Sequence, residues 1–320
     1  MNQSSPDCLC VGIIVADHVC EPVEHVPDPG ELVLTRQMDL TIGGCASNVA
    51  VDLVKLGITA AVAGKIGDDV FGRYVREALE AAGVGCEQIV ESATQDTSGT
   101  FVINSQGEDR RFIHCIGANG EFTGKEVSAD QVRRCRVLYL GGYLLIDAMA
   151  AKNVAALFEV ARAADVVTVL DVVIPRQADY WPMLEPVLPL TDVFLPNDDE
   201  SHLITGLDDP LAQAERFRQA GAGTVVVTCG NGGAVLAGDG ERLKAGRYPV
   251  EFVDGTGSGD AFTAGYIYGR INGHDSRGCL RYGSALGASC VRSTGATTGV
   301  FTAAELREFV ESHELNITPA

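Results

Sequence analysis

Positive charge is scarce in this sequence. Lys and Arg number 24 against 43 Asp and Glu, a formal net charge of −19 over 320 residues. Such a field repels polyanions, so neither nucleic acid nor an anionic membrane is expected as a partner. A phosphate ligand would have to be held by local backbone donors and a few placed cations. Long apolar runs are missing too: none approaches the ~20 residues that span a bilayer, and residues 1–7 are polar, without the apolar core of a signal peptide. A cytoplasmic location is the expectation. No C-x-x-C pair occurs among the ten cysteines, and the nearest two are Cys8 and Cys10. Cys45, Cys115, Cys135, Cys229, Cys279 and Cys290 lie in or beside apolar runs or helical stretches. Reduced, mostly buried thiols are expected. Internal repeats and low-complexity tracts are also absent.

What is present is an ordinary globular composition, 46% hydrophobic and 21% charged. A chain this long can bury its core without metal or disulfide staples. Short β-branched runs at 8–16, 60–66, 137–140, 166–171, 193–195 and 224–229 alternate with helical patterns at 46–56, 71–82, 149–164, 211–220, 259–271 and 303–312. That alternation predicts an α/β fold with a mostly parallel sheet covered on both faces. Two segments break it. Residues 22–42 are Pro-rich and then extended, and 98–115 reads as a hairpin with arms Thr100–Ile103 and Arg111–His114 around a turn at 105–109. They suit a small β lid, an excursion at about 18–42 and 97–119 from a single domain covering 1–320. Residues 316–320 are expected to fray.

The most informative segment is Asp254-Gly255-Thr256-Gly257-Ser258-Gly259-Asp260-Ala261-Phe262, between an extended run (248–253) and an amphipathic helix. Glycines let backbone approach a ligand closely. A helix start offers unpaired N–H groups and a positive dipole end. Together they suit an anion hole for a transferring phosphoryl group, with Asp260 as base for an attacking hydroxyl. The competing reading is a plain strand-to-helix turn with a favourable first-turn acid. No Lys-Ser or Lys-Thr closes the loop, and its spacing is not G-x-G-x-x-G. In Gly43-Gly44-Cys45-Ala46-Ser47-Asn48, the glycines and the Asn48 carboxamide suit a pair of sugar hydroxyls, or form a turn whose side chains satisfy local backbone. In Gly64-Lys65-Ile66-Gly67-Asp68-Asp69, one Asp reads as a helix cap, with Gly67 near the substrate.

These segments together resemble the PfkB, or ribokinase-like, carbohydrate kinases. The first signature is Gly43-Gly44 through Asn48, then Leu56-Gly57 and Gly64 to Gly72; the second is 254–262, with Gly255 and Ser258 where the family usually has Thr and Ala. The resemblance spans roughly residues 9–299 and implies a three-layer α/β/α sandwich with a β lid, ATP and Mg2+. It implies Gly257, Ser258, Gly259 and Asp260 at the catalytic centre. Asp17, Gly43, Gly44, Asn48, Arg111 and the strand-end Asp171 fall to the acceptor, with His114 beside Arg111 in the returning lid strand that ends in Gly117-Ala118-Asn119. Asn197, Thr228, Gly230 and Gly233 fall to the nucleotide, and the purine to 284–290. Asn197 and Glu200, also legible as a capping box, would organise Mg2+ through phosphates and water. Asp254 and 292–297 match a monovalent cation site (K+) loosely. A primary hydroxyl of a sugar or sugar acid is the expected acceptor. A nucleoside kinase would use Phe101, Ile103 or Phe112. A sugar-phosphate kinase would need Arg36, Arg110, Arg111 or Arg176. A silent sugar sensor is the reading from another class. A homodimer through the lid completes the expectations.

Overall fold

The structure is a computed structural model that describes residues 5–105, 111–175 and 177–320. Arg110, Arg176 and positions 106–109 of the expected hairpin turn lie outside the described residues. In chain order the strands are β1 (Cys8–Gly12), β2 (Val15–Cys20), β3 (Met38–Gly43), β4 (Ala60–Gly67), β5 (Gly85–Ser92), β6 (Gly99–Ile103), β7 (Arg111–Cys115), β8 (Val137–Gly141), β9 (Val167–Leu170), β10 (Val193–Phe194), β11 (Thr224–Thr228), β12 (Ala234–Gly238), β13 (Glu241–Ala245) and β14 (Ile317–Pro319). Ten form the main sheet in the order β14-β13-β12-β11-β10-β9-β8-β1-β4-β5, and four form a second sheet, β3-β2-β6-β7. From β5 to β11 every pairing is parallel; β12 to β14 join antiparallel. β1 and β8 are buried along their whole length, which is why they read as unbroken apolar runs.

β1 lies between β4 on one side and β8 on the other, so the strand order reverses there. Open α/β sheets bind ligands at such a switch point, beyond the carboxyl ends of the strands. Gly12 ends β1 at φ 138°, and a Cβ there would come within 2.0 Å of the Gly141 carbonyl oxygen at the end of β8. The run expected at 8–16 is therefore two strands in two sheets: the chain leaves the main sheet after Gly12 and starts the lid at Val15. Asn119 fixes that departure. Its buried carboxamide accepts from the Ile14 N–H at 3.2 Å and donates to the Ile14 carbonyl at 2.9 Å.

Other expectations need correction. Ile317–Pro319 does not fray; it pairs with β13 at the sheet edge. Residues 248–253 form no strand. Cys115 is exposed, while the other cysteines are buried or half-buried, and all ten are free. β5 is half polar, β12 and β13 are five-residue strands, and the helix Ser276–Cys290 is rich in glycine, so periodicity hid them. That helix packs on Ser258–Ile271 through glycine: a Cβ on Gly265 would meet the Tyr282 carbonyl oxygen at 2.5 Å, and one on Gly269 the Cys279 Cα at 2.9 Å. The close pair holds the second signature in place.

Candidate active site

The helix Ser258–Ile271 starts at Gly257, whose φ of 75° is left-handed. A Cβ there would strike Ala296, with its carbonyl oxygen at 2.4 Å. Gly259 differs: its φ is ordinary and a Cβ would meet nothing within 4 Å. Ser258 N–H bonds the Gly255 carbonyl and Ala261 N–H the Gly257 carbonyl. The N–H groups of Gly259 and Asp260 have no backbone acceptor among the described residues, as expected in a first helical turn. Asp260 sits among these donors. Burial pushes its carboxyl above the ordinary range, opposed by hydrogen bonds from Asn48 and Cys45.

Asn48 links the two signatures. Its Nδ2 donates to Asp260 Oδ2 at 2.8 Å, while its Oδ1 is buried without a partner. The carboxamide read as a sugar ligand thus holds Asp260 and still has an acceptor to offer. Gly44 has φ 89°, and a Cβ on Gly43 would fall 1.9 Å from Asp17 Oδ2, so the glycines let the lid carboxylate lie against the turn. Burial raises Asp17 to about 6; Thr100 pulls it down and Asp260 adds to the rise. Register puts Thr41, Asp17, Thr100 and His114 opposite one another across all four lid strands, and Thr100 Oγ1 lies 3.0 Å from His114 Nδ1. Arg111 is three residues from His114 on the same strand and so stands on the other face. Asp171 follows β9, where its Oδ2 accepts from the Tyr139 hydroxyl at 3.2 Å. Gly67 packs against Asp96 and Thr97. Asp69 is the helix cap, accepting from Gly72 N–H at 2.7 Å and Thr97 N–H at 2.8 Å.

On the other side of Asp260 lies a cleft of about 510 Å3. Asn197, Thr228, Gly230, Gly233, Ser258 and Gly259 line it, together with Ser284, Gly287 and Ala288. Six residues named for phosphates and a segment named for a purine, spread over 92 positions of sequence, thus share one surface. Phe252, Val250 and Val291 supply its apolar wall, and Arg247 its cation, anchored to Asn231 Oδ1 at 3.1 Å. Asn197 and Glu200 form a reciprocal capping box, with Glu200 Oε2 accepting from Asn197 N–H at 3.0 Å. Burial raises Glu200 to about 7. Its other oxygen suits a hydrated divalent ion near phosphates, since such ions keep most of their water. Asp254 binds Thr256 through Oδ1 and the Gly295 N–H through Oδ2. The carbonyls of Thr256 and Ala296 both lie 3.2 Å from Cys290 Sγ, within reach of its thiol proton.

Sequence reasoning missed Cys45, Tyr139 and Arg247 as site residues. Cys45 and Tyr139 are apolar-compatible types in a helix and a strand, and only the fold turns them to the site. No helix among the described residues is long and apolar enough to cross a membrane.

Comparison with known proteins agrees with this geometry. A nucleoside kinase of Methanothermobacter thermautotrophicus is 27% identical over 299 residues, 92% of either chain. A ribokinase of Haemophilus influenzae is 26% identical over 308 residues, 94% of this chain and 97% of that one. An E. coli protein described as a ribokinase II, crystallised with ATP and Mg2+, superposes with a TM-score of 0.84 at 25% identity, covering 96% of this chain and all of that one. The profile of the pfkB family carbohydrate kinases matches residues 5–303. With both signatures meeting at Asp260 and that profile spanning nearly the whole chain, this protein belongs to the pfkB family and is an ATP-dependent carbohydrate kinase of ribokinase-like fold.

Proposed function

We propose that the enzyme phosphorylates a primary hydroxyl of a sugar or sugar acid with Mg2+-ATP, and that Asp260 is the general base. The observation that carries this is the place of Asp260, between the cleft lined by Ser258 and Gly259 and the acceptor-side groups Asn48 and Asp17. Asp17 and Asn48 hold the acceptor. Asp260 takes its hydroxyl proton as the new O–P bond forms and the bond to the ADP oxygen breaks. The free N–H groups of Gly259 and Asp260 face the charge on the phosphoryl oxygens. Asn197 and Glu200 would hold Mg2+ through phosphates and water, and the ion would supply charge neutralisation there. K+ beside Asp254 would stiffen the loop at 292–297.

ADP release with Mg2+-ATP, across a panel of sugars, sugar acids, sugar phosphates and nucleosides, tests this reading. Turnover is expected with a neutral sugar or sugar acid. Asp260→Asn should fold and bind ATP but lose about 10²–10⁴ in kcat; a variant within threefold of wild type would remove Asp260 from the role. Nucleoside phosphorylation is the second reading, favoured by the M. thermautotrophicus relative and by apolar Phe112, which shares the lid face of His114 and Thr100; Phe101 stands on the other face, beside His18. A phosphorylated acceptor is disfavoured because the ionisable side chains facing Asp260 on the acceptor side, Asp17 and Asp171, are acids and bring no positive charge to bind a phosphate.

A further inference from the structure

One polar stripe beside the site has no part in the chemistry above. The helix Cys45–Lys55 is buried from Cys45 through Leu53, yet Asn48, Asp52 and Lys55 lie along it at i, i+4 and i+7, which is one helical face. The helix packs on Ser258–Ile271, which carries Asp260. Asn48 donates to Asp260 at one end of the stripe. At the other end the Lys55 ammonium donates to the Thr297 carbonyl.

Thr297 belongs to the loop that backs the second signature. Its neighbour Ala296 closes over Gly257, where a Cβ would meet the Ala296 carbonyl oxygen at 2.4 Å. The Gly295 N–H donates to Asp254 Oδ2 at 3.0 Å. The Cys290 thiol reaches the carbonyls of Thr256 and Ala296, both at 3.2 Å. Residues 292–297 and the turn 254–257 are therefore packed as one unit, and the helix of Gly259 and Asp260 starts from it. Lys55 ties that unit to the first signature. Asp52 accounts for a cation at this place. It is fully buried, and neither of its carboxylate oxygens has a hydrogen-bond partner among the described residues. Of the charged groups around it, Lys55 is favourable and Asp260 unfavourable. A buried acid without donors is costly unless a cation stands near it.

We propose that Lys55 is a positioning residue for phosphoryl transfer: by holding the Thr297 carbonyl it fixes the loop 292–297 against Gly257, and so keeps the Gly259 and Asp260 N–H groups where the phosphoryl group passes. Asp52 is its buried counter-charge and takes no part in the chemistry. The catalytic consequence rests on the kinase reading; the tie between helix and loop does not, so the two are tested by different readouts.

The test compares Lys55→Met, Lys55→Arg, Asp52→Asn and the double variant of Lys55→Met with Asp52→Asn, at one fixed K+ concentration. The readouts are kcat, acceptor KM, Tm and amide hydrogen exchange over 292–299. Lys55→Met should lose about 10–100-fold in kcat, with acceptor KM within about twofold, because Asn48 and Asp17 still hold the acceptor. Amides of the loop should exchange at least about tenfold faster. Lys55→Arg can still donate to Thr297 and should recover most of the lost kcat. Lys55→Met should also lower Tm, since it leaves Asp52 buried without its cation. Asp52→Asn alone should keep Tm and kcat, and in the double variant it should restore Tm but not kcat. Recovery of kcat together with Tm would mean that Lys55 acts only through stability, and would overturn the proposal. Loop exchange at the wild-type rate in Lys55→Met would overturn it too, as would a kcat within about threefold of wild type. Failure of the kinase reading shows elsewhere, in Asp260→Asn turning over normally while the exchange result stands.

Discussion

At the scale of single residues, two glycines of one loop do different work. Gly257 needs its left-handed φ, and Ala296 leaves no room for a Cβ. Gly257→Ala should therefore lower Tm, by about 1–3 kcal/mol of strain, and activity should fall partly through misfolding. Gly259→Ala has no such clash; its methyl would project into open space beside the cleft. It should keep wild-type Tm and lose about 10–100-fold in kcat through displaced phosphate, with acceptor KM little changed. Normal turnover by folded Gly259→Ala would show that the loop holds no phosphoryl group. Sequence alone treats the pair alike, because both are Gly in a Gly-rich turn. Asp17 allows a test by pH. Its folded value of about 6 lies above its ordinary 3.8. The protonated form is the better folded one, so its contribution is full below pH ~4 and is lost as pH rises through ~6. At about 1.4 kcal/mol per unit the loss is on the order of 3 kcal/mol at most. Asp17→Asn should raise apo-enzyme Tm at pH 8 but not at pH 4, and should raise acceptor KM far more than ATP KM. A Tm gain of equal size at both pH values would refute the buried-charge account.

At the scale of elements, the site depends on how closely two helices meet. Ser258–Ile271 carries Asp260, and Ser276–Cys290 supplies the cleft residues Ser284, Gly287 and Ala288. Gly265 sets their separation, since a methyl there would press on the Tyr282 carbonyl oxygen at 2.5 Å and the Gly283 Cα at 2.9 Å. Gly265→Ala should cost about 1–3 kcal/mol in denaturant unfolding and raise ATP KM more than acceptor KM. Unchanged stability would mean that the helices separate freely. The first helix was legible from its period of apolar residues, and the capping box at Asn197 from its spacing; the second box, at Thr302 and Glu305, was not read from the sequence. The second helix was not legible, because glycines at the contact face weaken its apolar stripe. The hairpin arms were legible from β-branched and aromatic runs, but not the departure of β2 into the lid, since an apolar run looks the same when it changes sheets after Gly12.

At the scale of the whole molecule, the lid leaves apolar surface open. Leu32 and Leu34 are more than four-fifths exposed, and Phe112 and Ile113 more than half. β3 and β7 are the open edges of the four-stranded sheet. Such edges and patches are normally covered. A homodimer through the lid follows as an expected outcome. Sedimentation at micromolar concentration should give twice the chain mass of 33.7 kDa, and Phe112→Glu with Ile113→Lys should give a monomer. A wild-type monomer with and without substrate would rule the arrangement out.

The sequence by itself determined the family, the parallel sheet, the two glycine signatures and the carboxylate proposed as base. Those features are local: a run of buried residues, a turn that only glycine tolerates, a carboxylate one turn into a helix. Tertiary structure decided which groups meet. Asn48 lies 212 positions from the carboxylate it holds. Asp171, Tyr139 and Cys45 come together from a strand end, a strand interior and a helix start, and of the three only Asp171 was named from the sequence, through the family resemblance. Chain order places each residue on its element, but packing at the switch point decides which elements face one another.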